Sequence, residues 1–194
     1  MINIPAVKIQ EAQNILSSLC EKVKLHRAPT LPTSELKVRI PSEAAIWEAD
    51  YACLLLWPLE SSDLDTIKIS FDCAQEYFDE ILIMREERGF NCDGYLVLAL
   101  PSAPDNVADE LIRDIELSTS VCRKNAIWPN TDPATSVSAP WQRIGDVTVL
   151  GLPGTPTPSV DHFYWPDIED DVKLLWKEIV ESENSNASVR GQNS

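Results

Sequence analysis

The sequence predicts an α/β protein: a small mixed sheet with flanking helices and an amphipathic helix near each end, with α+β as the alternative class. Three observations carry this. Two short apolar runs, Ala52–Trp57 and Tyr95–Leu100, and a third strand-like segment, Val121–Trp128, are each closed by a proline, at Pro58, Pro101 and Pro129. Between them lie two amphipathic stretches, giving the order strand, helix, strand, helix, strand, which right-handed crossovers turn into one layer. Hydrophobic residues make up 44% of the 194 residues and charged residues 24%, an ordinary globular balance that buries a core without disulfides or metal.

The elements follow in order. Pro5–Leu25 reads as a helix whose apolar stripe is Val7, Ile15, Leu19 and Val23, widened by Leu16. Pro29 and Pro32 stop it. Leu36–Ile40 alternates apolar and basic residues, the pattern of an edge strand. Ile46–Leu59 starts with partial alternation and becomes continuously apolar, as a strand buried on both faces does, with a bend near Ala49-Asp50 that splits it in two. Ser61-Ser62-Asp63 caps a helix running to Arg88, with Ile67, Phe71, Ala74, Phe78, Ile81 and Leu82 on its apolar face and Gly89 as its stop. Cys92-Asp93-Gly94 reads as a turn before the second strand. Asp105 opens a shorter helix to Leu117, and Val121–Trp128 is the third strand. Asn130–Ala139 is a polar loop, Val147–Leu150 a short strand, and Asp170–Glu181 an amphipathic helix. From Ser182 the polar composition predicts a disordered tail. The domain expectation is therefore an N-terminal helix and linker over 1–40, one α/β domain over 41–181, and a tail over 182–194.

Charge is uneven. The net charge is −15, but residues 1–40 carry 6 basic and 3 acidic residues, residues 41–121 carry 4 and 18, and residues 122–194 carry 6 and 10. The middle segment repels a phosphate backbone, because nucleic-acid affinity rests on lysine and arginine. It suits a basic protein partner or plain solubility. The five cysteines, Cys20, Cys53, Cys73, Cys92 and Cys122, are scattered without a CxxC pair, as expected of reduced thiols in a cytoplasmic protein. The N-terminus lacks the pattern of a secretory leader. The longest apolar run, Tyr51–Trp57, is too short for a bilayer span, which needs about 20 residues.

Chemistry is sparse. No phosphate loop, GxGxxG or GxSxG is present, and the histidines are His26 and His162 only. Asp161-His162 with Asp167, Glu169, Asp170 and Asp171 is the nearest approach to a metal-ligand cluster. Glu48 or Asp50 with Asp93 suggests a nuclease built from carboxylates on adjacent strands, but the Glu-x-Lys element is missing after Asp93. Cys122 precedes two cations, Arg123 and Lys124, which favour a thiolate. Alternation along a strand, however, turns Arg123 away from Cys122. Among six tryptophans, Trp141, Trp165 and Trp176 lie in or beside the irregular C-terminal third, which makes them interface candidates.

Cys122-Arg123-Lys124-Asn125-Ala126-Ile127, then Trp141-Gln142-Arg143, then Val147–Pro153 together resemble the middle component of three-component ABC-ATPase conflict systems, including the small accessory subunit of Lamassu-type defence. The similarity covers roughly residues 90–153. It implies a non-catalytic subunit that binds an SMC-like ABC ATPase and links it to an effector nuclease acting against phage or plasmid DNA. The expected partner-binding residues are Cys122, Arg123, Lys124, Trp141, Arg143, Trp165 and Trp176, with no cofactor. Two rivals stand beside this reading: a small metal-dependent nuclease or hydrolase at Glu48, Asp50 and Asp93, and an acidic inhibitor that mimics DNA.

Overall fold

The structure, a computed structural model, describes residues 6–33, 38–90, 92–132, 134, 136 and 139–147. All of them belong to one unit, Met1–Gly154. Helix α1 spans Ala6–Lys22, α2 Leu64–Glu87 and α3 Asn106–Leu117. The strands are β1 His26–Arg27, β2 Ala45–Ala49, β3 Ala52–Pro58, β4 Asp93–Ala99, β5 Arg123–Pro129 and β6 Trp141–Gln142. They form one mixed sheet in sequence order, with β3, β4 and β5 parallel and the outer pairings antiparallel. The α/β class with flanking helices is therefore present.

The long apolar run works as two strands. A turn at Asp50-Tyr51 folds β2 back on β3, pairing Ala49 with Ala52 and Ala45 with Leu56. Every residue of β3 is buried, because side chains alternate between two covered faces. Cys53, Leu55 and Trp57 face α2 and α3, together with Leu96, Leu98 and Ala126. Ala52, Leu54 and Leu56 face α1, with Tyr95, Val97 and Ile127. The apolar interior thus lies on both sides of a central sheet, each buried side chain contributing about 25 cal/mol per Å² removed from water.

Helix α1 belongs to this core and is not an appendage. Its buried residues are Ile9, Ala12, Leu16 and Cys20, one turn-face away from the expected stripe; Ile15, Leu19 and Val23 are only partly buried beside it. Trp47 beneath it donates its indole N–H to Ser17 Oγ at 3.1 Å. That hydrogen bond and the buried Gln13, which donates to the Glu43 carbonyl, show why a reading by hydrophobicity alone misplaces the face. The edge strand beside β2 is His26–Arg27, not Leu36–Ile40: Val38–Ile40 form no strand, and residues 36 and 37 lie outside the described residues.

Helix α2 keeps its expected bounds. Asp63 is the N-cap and accepts from Thr66 N at 2.9 Å and Thr66 Oγ1 at 2.8 Å. Gly89, at φ +89°, takes the left-handed conformation that ends the helix. Tyr77 joins the buried face and donates its hydroxyl to the Pro32 carbonyl at 2.8 Å. Asp105 caps α3 in the same way, accepting from Ala108 N at 2.8 Å. Asp93 and Gly94 are the first residues of β4 and not a turn. Gly94 sits where a Cβ would lie 2.7 Å from Leu82 Cδ1 and 2.9 Å from Cys122 Cβ, so α2 and the start of β5 close on bare backbone there. The strand expected over Val147–Leu150 begins at a residue that closes a short 3-10 turn, Ile144–Asp146, and its remainder lies outside the described residues, as do the C-terminal helix and tail. No helix among the described residues is long and apolar enough to cross a membrane.

Candidate partner-binding site

The carboxyl ends of parallel strands are where α/β proteins usually hold ligands, in a crevice between helices on opposite faces. Here α2 and α3 cover the same face, and a cleft of about 580 Å³ at the carboxyl end of β3 is lined by Ile9 of α1, Ile69 and Cys73 of α2, Trp57, Pro58 and Arg39. The N-termini of α2 and α3, ordinarily good phosphate sites, already hold the carboxylates of Asp63 and Asp105. Ser62 Oγ donates to the Ser102 carbonyl at 2.8 Å and ties the two loops together. The two helix N-termini are thereby closed to anions.

The Cys122-Arg123-Lys124 motif lies at the opposite end, where α3 enters β5. Val121 before it holds φ +68°, an unusual value for a β-branched residue. Cys122 is buried, and burial pushes its thiol up to about 11 against the opposing pull of Lys124. It is a packing residue beside Gly94 and not a reactive thiolate. Arg123 turns to the other face, as alternation requires, and is exposed with its guanidinium 5.8 Å from the Tyr95 ring centroid. Lys124 returns to the interior and is 4% exposed. Its ammonium donates to the carbonyls of Ser118 at 3.0 Å and Ser120 at 2.5 Å and sits 5.9 Å from the Phe71 ring. Ser118 is the C-cap of α3, so the cation lies where the helix dipole favours it. Burial lowers its pKa and Cys122 opposes the shift. As a surface contact, Lys124 is thus corrected: its charge serves the end of α3.

Glu116 extends the same arrangement. Its Oε1 accepts the Ala126 backbone N–H at 2.8 Å, before the two residues of β5 that pair with β6, and its Oε2 accepts from Arg143 Nη2 at 2.7 Å. Arg143 holds φ +61° and lies 5.4 Å from the Trp128 ring, whose indole N–H donates to Gln142 Oε1 at 3.0 Å. Arg143 is thus half-buried and paired, a joint between α3, β5 and β6. Nothing in the sequence near Glu116 announces this role; the carboxylate reaches across from another element.

Trp141 needs the plainest correction. Its place beside the irregular C-terminal third suggested an interface, but pairing with Pro129 draws it into the α1-side core at 2% exposure. Its Nε1 has no hydrogen-bond partner among the described residues. Trp141 also lines an open cleft of about 810 Å³ between α1 and the β6 segment. Trp165 and Trp176 lie outside the described residues, as do Asp161 and His162.

The carboxylates of the nuclease reading do not assemble. Glu48 is held by Arg85, Nη1 to Oε2 at 2.5 Å, while Arg85 Nη2 donates to the Ala49 carbonyl. Asp50 is exposed in the β2–β3 turn, and Asp93 is exposed at the start of β4. Among the described residues no group of three His, Cys, Asp or Glu side chains is placed to hold a metal ion.

Charge separates by layer. Helix α2 carries seven acidic against two basic residues and α3 four against one, whereas α1 carries two of each. Asp72, Glu76, Glu110 and Asp114 are exposed on the α2–α3 layer. Set against known protein families, curated proteins and solved structures, the chain matches none of them.

Proposed function

We propose that this chain is a non-catalytic accessory subunit that docks on a larger protein. The observation that carries the reading is that, among the described residues, Cys122, Lys124, Glu116, Arg143 and Glu48 are committed to the fold. Cys122 packs beside Gly94, Lys124 closes the end of α3, Glu116 and Arg143 pair, and Glu48 is held by Arg85. What remains for a partner is charge and shape: an acidic α2–α3 layer and the cleft beside Trp141. The resemblance at Cys122–Pro153 supplies the partner proposed, an SMC-like ABC ATPase coupled to an effector nuclease, with DNA reached only through that complex.

The test is affinity capture of the tagged full chain from its native host, beside a variant carrying Asp72→Lys, Glu76→Lys and Asp114→Lys. The reading expects a large ATPase with the wild-type chain and reduced recovery with the charge-reversed one. Equal recovery removes the acidic layer from the interface, and capture of the chain alone removes the subunit reading. The acidic layer also favours a second reading, an inhibitor that offers α2 and α3 in place of a phosphate backbone. That reading expects the captured partner to be a DNA-binding protein released by duplex DNA.

A further inference from the structure

The outer surface of the α2–α3 layer carries more than charge. On α2, Ile69 and Ile83 are 65% and 49% exposed; on α3, Val107 and Leu117 are 60% and 80% exposed. A single exposed aliphatic side chain is ordinary on a protein surface. These four recur at helical spacing on the stripes opposite the buried faces, with Asp72 and Glu76 between the isoleucines and Glu110 and Asp114 between the valine and the leucine. Each stripe is therefore apolar at its ends and acidic between them. The carboxylates are unbalanced within the fold. Asp72 and Glu76 stand one turn apart, as do Glu110 and Asp114, and like charges at this spacing destabilise a helix. None of these four carboxylates has a hydrogen bond or ion pair among the described residues. Of the cations on the two helices, Arg85 is held by Glu48 and Arg113 by Asp109, which leaves Lys68. Exposed aliphatic groups and repelling carboxylates both cost the isolated chain stability, and one occupant relieves both.

From this we infer that the α2–α3 face receives one amphipathic helix of the partner protein, its apolar stripe laid on Ile69, Ile83, Val107 and Leu117 and flanked by lysine or arginine side chains that meet the four carboxylates. The spacing selects a helix. Ile69 and Ile83 lie about 21 Å apart along α2, about four turns of a partner helix. Side chains at intervals of three and four residues form ridges and grooves that a third helix matches and an extended strand does not. The charge selects the partner. A second copy would bring the same carboxylates against these, whereas a basic helix neutralises them. The inference rests on the subunit reading; it gives the acidic layer its occupant, on helices that the Cys122-Arg123-Lys124 motif does not include.

The experiment titrates the full chain into a labelled, end-blocked peptide of leucine and lysine, about five turns long, with its leucines on one helical face. The control peptide has the same residues shuffled, so its charge is unchanged and its apolar face is lost. The expected result is saturable binding of the facial peptide, about tenfold tighter than the control at physiological salt. Ile69→Ser with Leu117→Ser, both on exposed side chains, removes that advantage. Glu76→Lys with Asp114→Lys weakens both peptides and leaves the lone chain no less stable in urea, since each change turns a repelling pair into an attracting one. Equal binding of the two peptides, no saturable binding, or an affinity that the serine variant leaves unchanged overturns the inference. So do methyl contacts to Ile69 or Leu117, before peptide is added, from a second copy or from residues 148–194 of the same chain. In native-host capture, a partner retained equally by the Ile69→Ser, Leu117→Ser variant rejects this docking face and leaves the subunit reading standing; a wild-type chain captured without partner rejects the reading itself.

Discussion

Replacing Gly94 by alanine probes the joint that places the Cys122-Arg123-Lys124 motif. The new Cβ would lie 2.7 Å from Leu82 Cδ1, 2.9 Å from Cys122 Cβ and 3.2 Å from Phe78 Cε1, all under the ordinary contact range. Leu82 can turn aside. Cys122 Cβ is fixed to the backbone at the start of β5, so relief requires the strand itself to move. Overpacking of this kind costs about 1–3 kcal/mol. The φ of Gly94 is not positive, so alanine also recovers about 0.5–1 kcal/mol of unfolded-state entropy. The net expectation is a loss of about 2 kcal/mol, near the upper end because one wall is backbone, or a Tm lower by about 4–8 °C for a domain of this size. Urea unfolding of wild type, Gly94→Ala, Leu82→Ala and the double variant measures it. The double variant should lose about 1 kcal/mol less than the two single changes together, because Leu82 supplies part of the clash. A Gly94→Ala protein as stable as wild type would refute the close approach of α2, β4 and β5.

Cys122, with its thiol at about 11, should resist alkylation near neutral pH in the folded chain and react only on unfolding; mass spectrometry of labelled peptides reads this, and labelling as fast as in urea would contradict its burial. Asp63 is held at about 2 from an ordinary 3.8 by hydrogen bonds from Ser61 and from the backbone and hydroxyl of Thr66. Because the folded value lies below the unfolded one, its stabilisation is complete above pH 3.8 and is lost as pH falls through about 2, so Asp63→Asn should flatten the stability profile across that window. Glu116→Ala leaves the Ala126 N–H and Arg143 without their acceptor and should cost about 2 kcal/mol in denaturant unfolding. Arg123→Ala, on an exposed side chain, should stay within about 0.5 kcal/mol of wild type in the same assay.

Elements whose signals are local were legible in the sequence. Asp63 and Gly89 bound α2, Asp105 opens α3, and the apolar run at Ala52–Trp57 is the fully buried β3. Misread positions depend on partners distant in the chain. The edge position went to His26–Arg27 because Arg27 pairs with Trp47 and bonds Gln13 Oε1, contacts invisible in a window around Leu36–Ile40. The α1 stripe shifted because Gln13, which reads as polar, is buried against Glu43. Of the candidate site, alternation correctly turned Arg123 away from Cys122, but it could not say that the Lys124 face would be closed by the end of α3. Trp141 sits in a polar stretch, yet strand pairing with Pro129 buries it. The residues that line the cleft beside Trp141 come from separate segments, and only the folded chain brings them together.

The central claim, a subunit that works within a larger assembly, is tested most directly by sedimentation of the tagged full chain in native-host extract, with mass spectrometry of whatever travels with it. The account predicts migration far above the 21.7 kDa of the single chain, together with a stoichiometric larger protein. Migration as a lone 21.7 kDa species would contradict it.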